Sequence, residues 1–227
     1  MYIDTNALIH GVFKREVKNR FRCLVEIDGE EELCYVSSSC RLTNFIELNG
    51  KEVLLSPNVG ENEKTRYTLF AVKSGNSFIL LNLALANAVI SEQLSRRYFS
   101  FLGKRKTLQR EVTVSGYKTD VYAVDSKTII EVKTVISDKK EASFPTVYSD
   151  RILDQLERIQ RLLEDGQRVC WLLVSLSPTV RRIVLNKDSS FFPAFLNCIE
   201  KGMLFQGCKL RMRNGEITVA SMIDVVW

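Results

Sequence analysis

The residues of this chain with the clearest chemical potential are an aspartate followed by a Glu-x-Lys tripeptide, namely Asp120, Glu131 and Lys133. Two carboxylates a few ångströms apart repel each other, and a divalent cation between them relieves that repulsion. Hard oxygen ligands select Mg²⁺ or Mn²⁺, and such a cation can polarise a phosphodiester and activate the attacking water. A lysine beside them can orient the water and stabilise developing negative charge. The pattern predicts a metal-dependent nuclease site, and the competing interpretation is a surface hairpin with a cross-strand Asp–Lys ion pair.

A β-hairpin would bring the three side chains together. We predict strands over residues 111–124 and 127–135, around the turn residues Asp125 and Ser126. If Ser126 and Lys127 form a two-residue loop, Asp120 faces Lys133 and Tyr122 faces Glu131. Side chains two residues apart share a face, so Asp120, Glu131 and Lys133 would converge on one face. A longer loop would shift this register.

Three further residues could complete the site. Glu111 precedes the hairpin and could supply a third carboxylate to the metal and to catalysis. Asp154 and Gln155 lie beside the apolar stripe of a predicted helix, where Gln155 could reach a substrate phosphate or a water. For these two residues a solvated helix face is the alternative.

Positive charge is concentrated in the second half of the chain. The net charge is +5 overall, −2 over residues 1–95 and +7 over residues 96–227, which favours an anionic partner for the second half. The boundary carries six cations with no acid between them, namely Arg96, Arg97, Lys104, Arg105, Lys106 and Arg110. Tyr98, Phe99 and Phe101 interleave with them, a mixture that suits phosphate contacts with base stacking. A solvated linker is the alternative.

The first part of the chain is predicted to be a small β-barrel. Five short strands are expected over residues 20–28, 33–36, 51–55, 66–73 and 77–82. Turn residues at Asp28-Gly29 and at Ser74-Gly75-Asn76 separate two pairs of them. A helix over residues 83–94 then leads to the basic boundary.

The second part is predicted to be mixed α/β. Ser149 is a suitable N-cap for a helix with apolar residues Ile152, Leu156, Ile159 and Leu163, and Gly166 follows its end. Residues 168–176 suit a strand that is buried on both faces. A helix over 193–201 and strands over 204–212 and 216–225 complete the chain. We therefore expect a barrel domain at 1–82, a helix and basic connector at 83–110, and an α/β domain at 111–227.

Composition places the protein among cytoplasmic globular proteins. Hydrophobic residues make up 45% and charged residues 26% of the chain, which excludes disorder. The six cysteines form no CxxC pair, and with no signal peptide at the start they are expected to be reduced thiols. A single histidine, His10, argues against a zinc site. The uncharged stretch at 74–91 contains three asparagines, so no membrane span is expected.

The chain resembles the sugar-fermentation-stimulation protein A family over nearly its whole length. The matching stretches are Arg20-Phe21, Lys64-Thr65-Arg66-Tyr67-Thr68-Leu69, Asn82-Leu83-Ala84-Leu85-Ala86-Asn87, Arg110-Glu111, Asp120, Glu131-Val132-Lys133-Thr134-Val135, Phe144-Pro145, and Arg151 with Leu156. The resemblance implies an N-terminal OB-fold-like barrel and a C-terminal restriction-endonuclease-like mixed sheet flanked by helices, of the PD-(D/E)xK type. It also implies nucleic-acid binding, and it places Glu111, Asp120, Glu131 and Lys133 at the nuclease-like positions.

Several positions depart from the family pattern. The family's Ala-His before an Asn-Thr-Gly-Arg stretch becomes Cys34 to Arg41, where only the arginine is kept. An Arg-Phe-Asp becomes Lys118-Thr119-Asp120, which keeps the charge without the planar guanidinium. By position, Arg41, Arg66 and Lys118 are candidate nucleic-acid contacts. Phe-Pro-Asp becomes Phe144-Pro145-Thr146, and Lys-His-Leu becomes Asp154-Gln155-Leu156, so altered substrate choice and binding without cleavage both stay open.

Two functions follow from these observations. The first is a nucleic-acid-binding protein with a Mg²⁺- or Mn²⁺-dependent nuclease site, and we expect DNA in preference to RNA. The second is a DNA-binding regulator of sugar-metabolism genes that has no catalytic activity. A sugar-handling enzyme is disfavoured because the sequence contains no phosphate loop and no dinucleotide fingerprint. The apolar end Val225-Val226-Trp227 either packs on the core or contacts a partner chain, so a homodimer is one arrangement left open.

Overall fold

The computed structural model describes residues 1–38, 40–58, 64–147 and 149–227. Its first half contains six strands, β1 (Ile9–Glu16), β2 (Arg22–Ile27), β3 (Glu30–Tyr35), β4 (Glu52–Pro57), β5 (Tyr67–Ser74) and β6 (Ser77–Leu80). Strands β1 to β5 close a barrel, because β1 pairs with both β2 and β4 while β3 pairs in parallel with β5. This five-stranded closure is the OB-type barrel.

The sequence-based strand assignments in the barrel are largely confirmed. The turns at Asp28-Gly29 and at residues 74–76 connect β2 to β3 and β5 to β6. Strand β1 was not predicted, because its run from Ile9 to Glu16 mixes charged and apolar residues. The predicted fifth strand, β6, extends the sheet beside β5 and takes no part in closure.

Gly11 on β1 lies where the barrel wall is too close for a side chain. A Cβ atom there would be 2.6 Å from Val25 Cγ1 and 2.8 Å from the Glu26 carbonyl oxygen. We expect Gly11→Ala to lower the free energy of unfolding by about 1–3 kcal/mol, because overpacking must displace backbone as well as a methyl group. Thermal unfolding measures this change as a loss of about 2–4 °C per kcal/mol. His10→Ala, at an exposed neighbour, is the control, and an unchanged melting temperature for Gly11→Ala would contradict the packing described.

The second half is built on an eight-stranded mixed sheet. Its strands are β7 (Leu108–Arg110), β10 (Val121–Ala123), β11 (Thr128–Val135), β12 (Glu141–Phe144), β13 (Arg168–Ser175), β14 (Arg182–Leu185), β15 (Leu204–Arg213) and β16 (Glu216–Val226). Their order is β12-β14-β16-β15-β13-β11-β10-β7. A separate two-stranded hairpin consists of β8 (Thr113–Val114) and β9 (Tyr117–Lys118). The helices are α1 (Ala84–Gln93), α2 (Asp150–Glu164) and α3 (Phe191–Glu200).

The large sheet lies between two apolar cores. One core joins its Leu172, Val174 and Leu210 to the barrel and to α1, and the other joins its Trp171 and Leu173 to α2 and α3. Strand β13 is buried on both faces as predicted, and helices α2 and α3 confirm the predicted helices with small changes of bounds. Ser149 occupies the N-cap position of α2, although its hydroxyl makes no capping bond in the described chain. Strands β12 and β14, with four residues each, were not predicted.

The segment between the two halves is part of the core. Gln93 at the end of α1 is buried, and its side chain donates to Ile217 O at 3.3 Å and accepts from Val219 N at 2.9 Å. Phe99 and Leu102, in a 3₁₀ helix over Arg97–Leu102, are fully buried. The basic stretch is therefore not a solvated linker, and its last residues form β7 of the large sheet.

The predicted single strand over 111–124 is wrong. Ser115 and Gly116 both have positive φ, 48° and 75°, so the chain reverses there and forms the β8–β9 hairpin. The loop between β10 and β11 has four residues, 124–127, and Tyr122 faces Ile129 where Glu131 had been predicted. Because the pairing shifts by two residues, each side chain keeps its predicted face.

All six cysteines, each within the described residues, are free thiols, and five are buried. Burial raises the pKa of Cys34 to about 12 and that of Cys198 to about 11, which keeps these thiols protonated. Within the described segments no helix combines the length and the apolar character needed to cross a bilayer.

Candidate active site

The predicted acidic residues meet at a cleft between the β10–β11 pair and helix α2. The cleft has a volume of about 410 Å³. Its wall is formed by Glu111, Tyr117, Lys118, Thr119, Asp120, Glu131, Arg151, Asp154, Gln155 and Arg158. The β8–β9 hairpin, the start of β10, the middle of β11 and one side of α2 each contribute to it.

Asp120 is held at the entrance to β10 by two hydrogen bonds. Asn87 Nδ2 of helix α1 donates to its Oδ1 at 3.0 Å, and Val132 N donates to its Oδ2 at 2.8 Å. Burial raises the pKa of Asp120 above its usual range, and the nearby negative charge of Glu131 raises the pKa further. Each carboxylate oxygen accepts one bond from the protein, so lone pairs are left for a further ligand.

Glu131 is almost fully buried and accepts three hydrogen bonds. Tyr117 Oη donates to its Oε2 at 2.7 Å, while Lys133 Nζ at 2.6 Å and Gln155 Nε2 at 2.9 Å donate to its Oε1. A buried carboxylate is tolerated only when it is paired and hydrogen-bonded. The site therefore contains a fixed anion, and Gln155 contacts that anion directly.

Lys133 is positioned by a charge on one side and an aromatic ring on the other. Its ammonium pairs with Glu131 and lies 5.1 Å from the centroid of the Trp171 ring. Trp171 is paired with Glu131 in the parallel β11–β13 ladder and is fully buried. The ring face attracts the cation and restricts its position.

Tyr117 is a site residue that the sequence-based argument missed. The tight turn at Ser115-Gly116 brings its side chain back to Glu131, where it is buried. Burial and the charge of Glu131 both raise the pKa of Tyr117, so its hydroxyl stays protonated and donates. The Ser-Gly pair was the signal that could have indicated this turn.

Glu111 is not brought into the Asp120–Glu131 pair. It lies just after β7 with a φ of 50°, is exposed, and forms an ion pair with Lys118 at 3.4 Å on the cleft wall. Across the described ranges, no three side chains of the histidine, cysteine, aspartate and glutamate types are grouped so that they could hold a metal ion. A cation here would have to rely on Asp120 and Glu131, with other oxygen atoms completing its shell.

Helix α2 presents a polar stripe to the cleft. Arg151, Gln155 and Arg158 follow one another at intervals of four and three residues, which places them on one helix side. Asp154 lies on the same side and lines the same wall. The i, i+4, i+7 spacing beside the apolar stripe was the sequence signal for Arg151 and Arg158, which were not proposed as site residues.

Two predicted nucleic-acid contacts have partners within the barrel. Arg41 lies 3.7 Å from the buried Glu16 carboxylate and donates to Lys18 O at 3.2 Å. Arg66 pairs with Glu32 at 2.8 Å and lies over the ring of Tyr67. Arg41 therefore supports the loop before β4, whereas Arg66 keeps most of its side chain in solvent.

The basic boundary residues divide into one structural arginine and five exposed cations. Arg105 donates to the carbonyl oxygens of Leu94, Gly103 and Arg96 and so closes the turn after α1. The exposed cations are Arg96, Arg97, Lys104, Lys106 and Arg110. Residues 104–106 flank the β10–β11 loop, since Thr107 N donates to Asp125 Oδ2 at 2.7 Å. At about 3.3 Å per residue along β11, residues 104–106 lie roughly 16 Å from Glu131.

The donor set fits a divalent cation. Asp120 and Glu131 are close enough for the charge of one to raise the pKa of the other, and a cation would relieve that repulsion. Both are hard oxygen ligands, which suits Mg²⁺, Mn²⁺ or Ca²⁺.

The fold and this cluster define a two-domain protein in which an OB-type barrel supports a mixed α/β sheet with an Asp, Glu and Lys site. Comparison with known proteins agrees with that class. The family model described as the SfsA N-terminal OB domain matches residues 16–81, and the model described as the sugar fermentation stimulation protein RE domain matches residues 84–216. The chain belongs to the sugar fermentation stimulation protein family.

Named relatives match most of the chain. The sugar fermentation stimulation protein homolog of Desulfitobacterium hafniense strain DCB-2 is 32% identical over 208 residues, covering 90% of this chain and 88% of that protein. The homolog of Caldanaerobacter subterraneus subsp. tengcongensis is 28% identical and covers 99% of both chains. The structure of Pyrococcus furiosus SfsA in complex with Ca²⁺ is similar with a TM-score of 0.85, 22% identity, and coverage of 99% of this chain and 97% of that chain. The last comparison confirms the fold.

Proposed function

We propose that this protein is a divalent-metal-dependent nuclease of the PD-(D/E)xK type, a phosphodiesterase that binds and cleaves nucleic acid, with DNA placed ahead of RNA. The observation that carries the proposal is the cluster itself. A buried glutamate, an aspartate whose pKa is raised by burial and by the charge of that glutamate, and a lysine lie beside one cleft. The wall of the cleft also carries Lys118, Arg151 and Arg158. This combination supplies both the oxygen ligands and the positive charge that phosphoryl chemistry needs.

The cation would be held by Asp120 and Glu131, and Mg²⁺ or Mn²⁺ is the proposed identity. When bound, it would polarise the phosphodiester and make a water a better nucleophile. A divalent cation at this site is supported by the related Pyrococcus protein, whose structure is described as a complex with Ca²⁺. The bonds from Asn87 and Val132 to Asp120 fix the carboxylate before the cation arrives.

The chain's own residues have separable tasks. Lys133, with its ammonium already paired with Glu131, stabilises the negative charge that develops on the phosphate oxygens. Tyr117 and Gln155 hold Glu131 in one orientation by donating to different oxygens. Arg151, Arg158 and Lys118 contact the phosphates on either side of the scissile bond. The exposed cations from Arg96 to Arg110, together with Arg66 on the barrel, are proposed as further contacts to the nucleic-acid backbone.

The test of the proposal is cleavage of end-labelled single- and double-stranded DNA and RNA in Mg²⁺, Mn²⁺ or EDTA. We expect products with one of these substrates in Mg²⁺ or Mn²⁺ and none in EDTA. Binding without products under every metal condition would contradict the nuclease proposal.

Salt dependence tests the phosphate contacts on α2. Each phosphate that a cation neutralises adds about −0.9 to the slope of log affinity against log salt for duplex DNA, and about −0.7 for single strands. We expect Arg151→Ala combined with Arg158→Ala to flatten the slope by about 1–2, as measured by fluorescence anisotropy at several salt concentrations. Arg161→Ala, on the same helix but away from the cleft wall, is the matched control. An unchanged slope in the double variant would place the binding surface elsewhere.

A second candidate is a DNA-binding regulator of sugar-metabolism genes without catalysis. It is favoured by one observation, namely that Glu131 already accepts bonds from three protein donors, including the ammonium of Lys133. In that case the cluster is an internal ion-pair network. The two functions differ in a simple respect, since only the nuclease requires a cation at Asp120.

A further inference from the structure

A second cavity opens directly from the carboxylate site. It has a volume of about 310 Å³ and shares Asp120, Glu131, Arg151 and Gln155 with the polar cleft. From there it runs in another direction, between the barrel loop before β4 and the start of α2. The carboxylates thus lie at the junction of two cavities.

The two cavities differ in chemistry. The polar cleft carries Lys118, Arg151 and Arg158, whereas the second cavity shares Arg151, adds Lys133, and has apolar side chains along about half of its lining. The apolar side chains include Phe45, Leu83, Ile136, Phe144, Val147 and Ile152. Its polar lining includes Lys133, Thr134 and Ser149, and the Ser149 hydroxyl does not cap α2 within the described chain. A cavity that combines apolar walls with polar groups able to fix an orientation is typical of a site for a small organic ligand.

The barrel side of this cavity is fixed in place. Phe45 ends a short 3₁₀ helix over Leu42–Asn44, and the buried carboxylate of Glu16 ties that helix to the barrel. Leu42 N donates to Glu16 Oε1 at 2.7 Å, and Thr43 Oγ1 donates to Oε2 at 2.6 Å. The wall is therefore preformed, which lowers the ordering cost of binding.

We propose that the second cavity receives one unpaired nucleobase of the strand whose phosphodiester lies at Asp120 and Glu131. This inference rests on the proposed nuclease function and specifies its substrate class: a strand end, a bulge or a mispair, as opposed to continuous duplex. The polar cleft with Lys118 and Arg158 suits phosphates, and the apolar part of the second cavity suits a base. The volume lies at the lower end of small-molecule pockets, which span about 300–1,000 Å³, and so has room for one base with its sugar. Enzymes that read an extruded base use the same combination of stacking and edge contacts.

The test compares two DNA duplexes that differ only in whether a central 2-aminopurine is paired or bulged. Binding is measured in EDTA, without cleavage, from anisotropy and from 2-aminopurine emission. We expect the wild type to bind the bulged duplex roughly tenfold more tightly, the scale of one base stacking on an aromatic ring. Phe45→Ala removes the ring, and Val147→Trp fills the cavity from its other wall, so both should abolish this preference while affinity for the paired duplex is unchanged.

Phe78→Ala, which removes a half-buried phenyl from β6 of the barrel, is the matched control and should keep the preference. Equal wild-type affinity for the two duplexes, or a preference that survives both cavity variants, would overturn the inference. The rise in melting temperature with Mg²⁺, measured on the same preparations, separates the two proposals. A rise with equal affinities overturns the base cavity alone, whereas no rise and no binding of either duplex overturns the proposed function as well.

Discussion

Lys133→Met should reduce metal-dependent cleavage by a factor on the order of 10²–10⁴, the range associated with loss of one acid–base or electrostatic group. Methionine keeps an apolar stem against Trp171 while removing the ammonium that donates to Glu131. The effect is measured as single-turnover cleavage of the substrate identified in the cleavage test with Mg²⁺, Mn²⁺ or EDTA. Affinity for that substrate should change little, because Lys118, Arg151 and Arg158 remain on the cleft wall.

The matched control for this variant is Lys14→Met. Lys14 also pairs with a glutamate, Glu26 at 2.7 Å, but on the barrel surface. The Lys14→Met variant should cleave at the wild-type rate. Cleavage by Lys133→Met within a few-fold of wild type would show that the ammonium has no part in the chemistry. Circular dichroism and melting curves verify that both variants are folded.

Asp120→Asn should abolish stabilisation by Mg²⁺ without lowering the stability of the metal-free protein. For the wild type, Mg²⁺ at a hundred times its dissociation constant adds about 2.7 kcal/mol to the free energy of unfolding, or roughly 5–10 °C in melting temperature. Asparagine can still accept from Val132 N, and its amide can donate to Asn87 if the Asn87 amide turns over. The substitution removes the negative charge that Glu131 repels.

The raised pKa of Asp120 also predicts the direction in which pH changes the stability of the metal-free protein. Because the pKa of Asp120 is higher in the folded protein than in the unfolded chain, the folded state binds the proton more tightly. Its contribution to stability is therefore lost as pH rises from the ordinary aspartate value, about 3.9, through the raised folded value. Asp120→Asn should show a smaller loss over that window and should melt at the wild-type temperature or above it at neutral pH.

Asp138→Asn is the control for Asp120→Asn. Asp138 is an exposed carboxylate 3.7 Å from Lys51, lies beyond the end of β11, and lines neither cavity at the carboxylate site. Asp138→Asn should keep the full rise in melting temperature with Mg²⁺. A response to Mg²⁺ in Asp120→Asn equal to that of wild type would place the cation elsewhere, and a large loss of metal-free stability would give Asp120 a structural role.

The acidic cluster was predictable from the sequence because it depends on a local rule. Residues two apart on a strand share a face, and a shift in hairpin register by two residues preserves that face. Asp120 therefore stayed on the same face as Glu131 and Lys133, although the loop has four residues where two were predicted. The family resemblance assigns the same three residues to nuclease-like positions, and that assignment stays a prediction.

The supporting residues were harder to predict because they come from elements distant in sequence. Asn87 reaches Asp120 from α1, and Tyr117 reaches Glu131 only because two residues of positive φ reverse the chain. Glu111 illustrates the opposite error. It precedes the hairpin in sequence, yet after β7 it pairs with Lys118 on the cleft wall and does not join Asp120 and Glu131.

The presence of a barrel was predictable from the sequence, but one of its strands and the pairing that closes it were not. Strand β1 was missed, since periodicity is weak where Gly11 must contact the backbone of β2 and charged residues alternate irregularly. Its closure through β3 and β5 is a long-range pairing that no local pattern encodes. The basic boundary shows a similar limit, because composition alone could not distinguish Arg105, which binds carbonyl groups, from exposed Lys104 and Lys106.

The most direct test of the central claim is restoration of cleavage by added metal. Protein stripped with EDTA and returned to metal-free buffer is mixed in excess with end-labelled DNA, and Mg²⁺ is then added to wild type and to Glu131→Gln in parallel. The site described here predicts products from the wild type only after Mg²⁺ is added, and none from Glu131→Gln. Equal product from both proteins, or salt-sensitive binding by the wild type with no product at any Mg²⁺ concentration, would contradict the assignment of Asp120, Glu131 and Lys133 as a nuclease site.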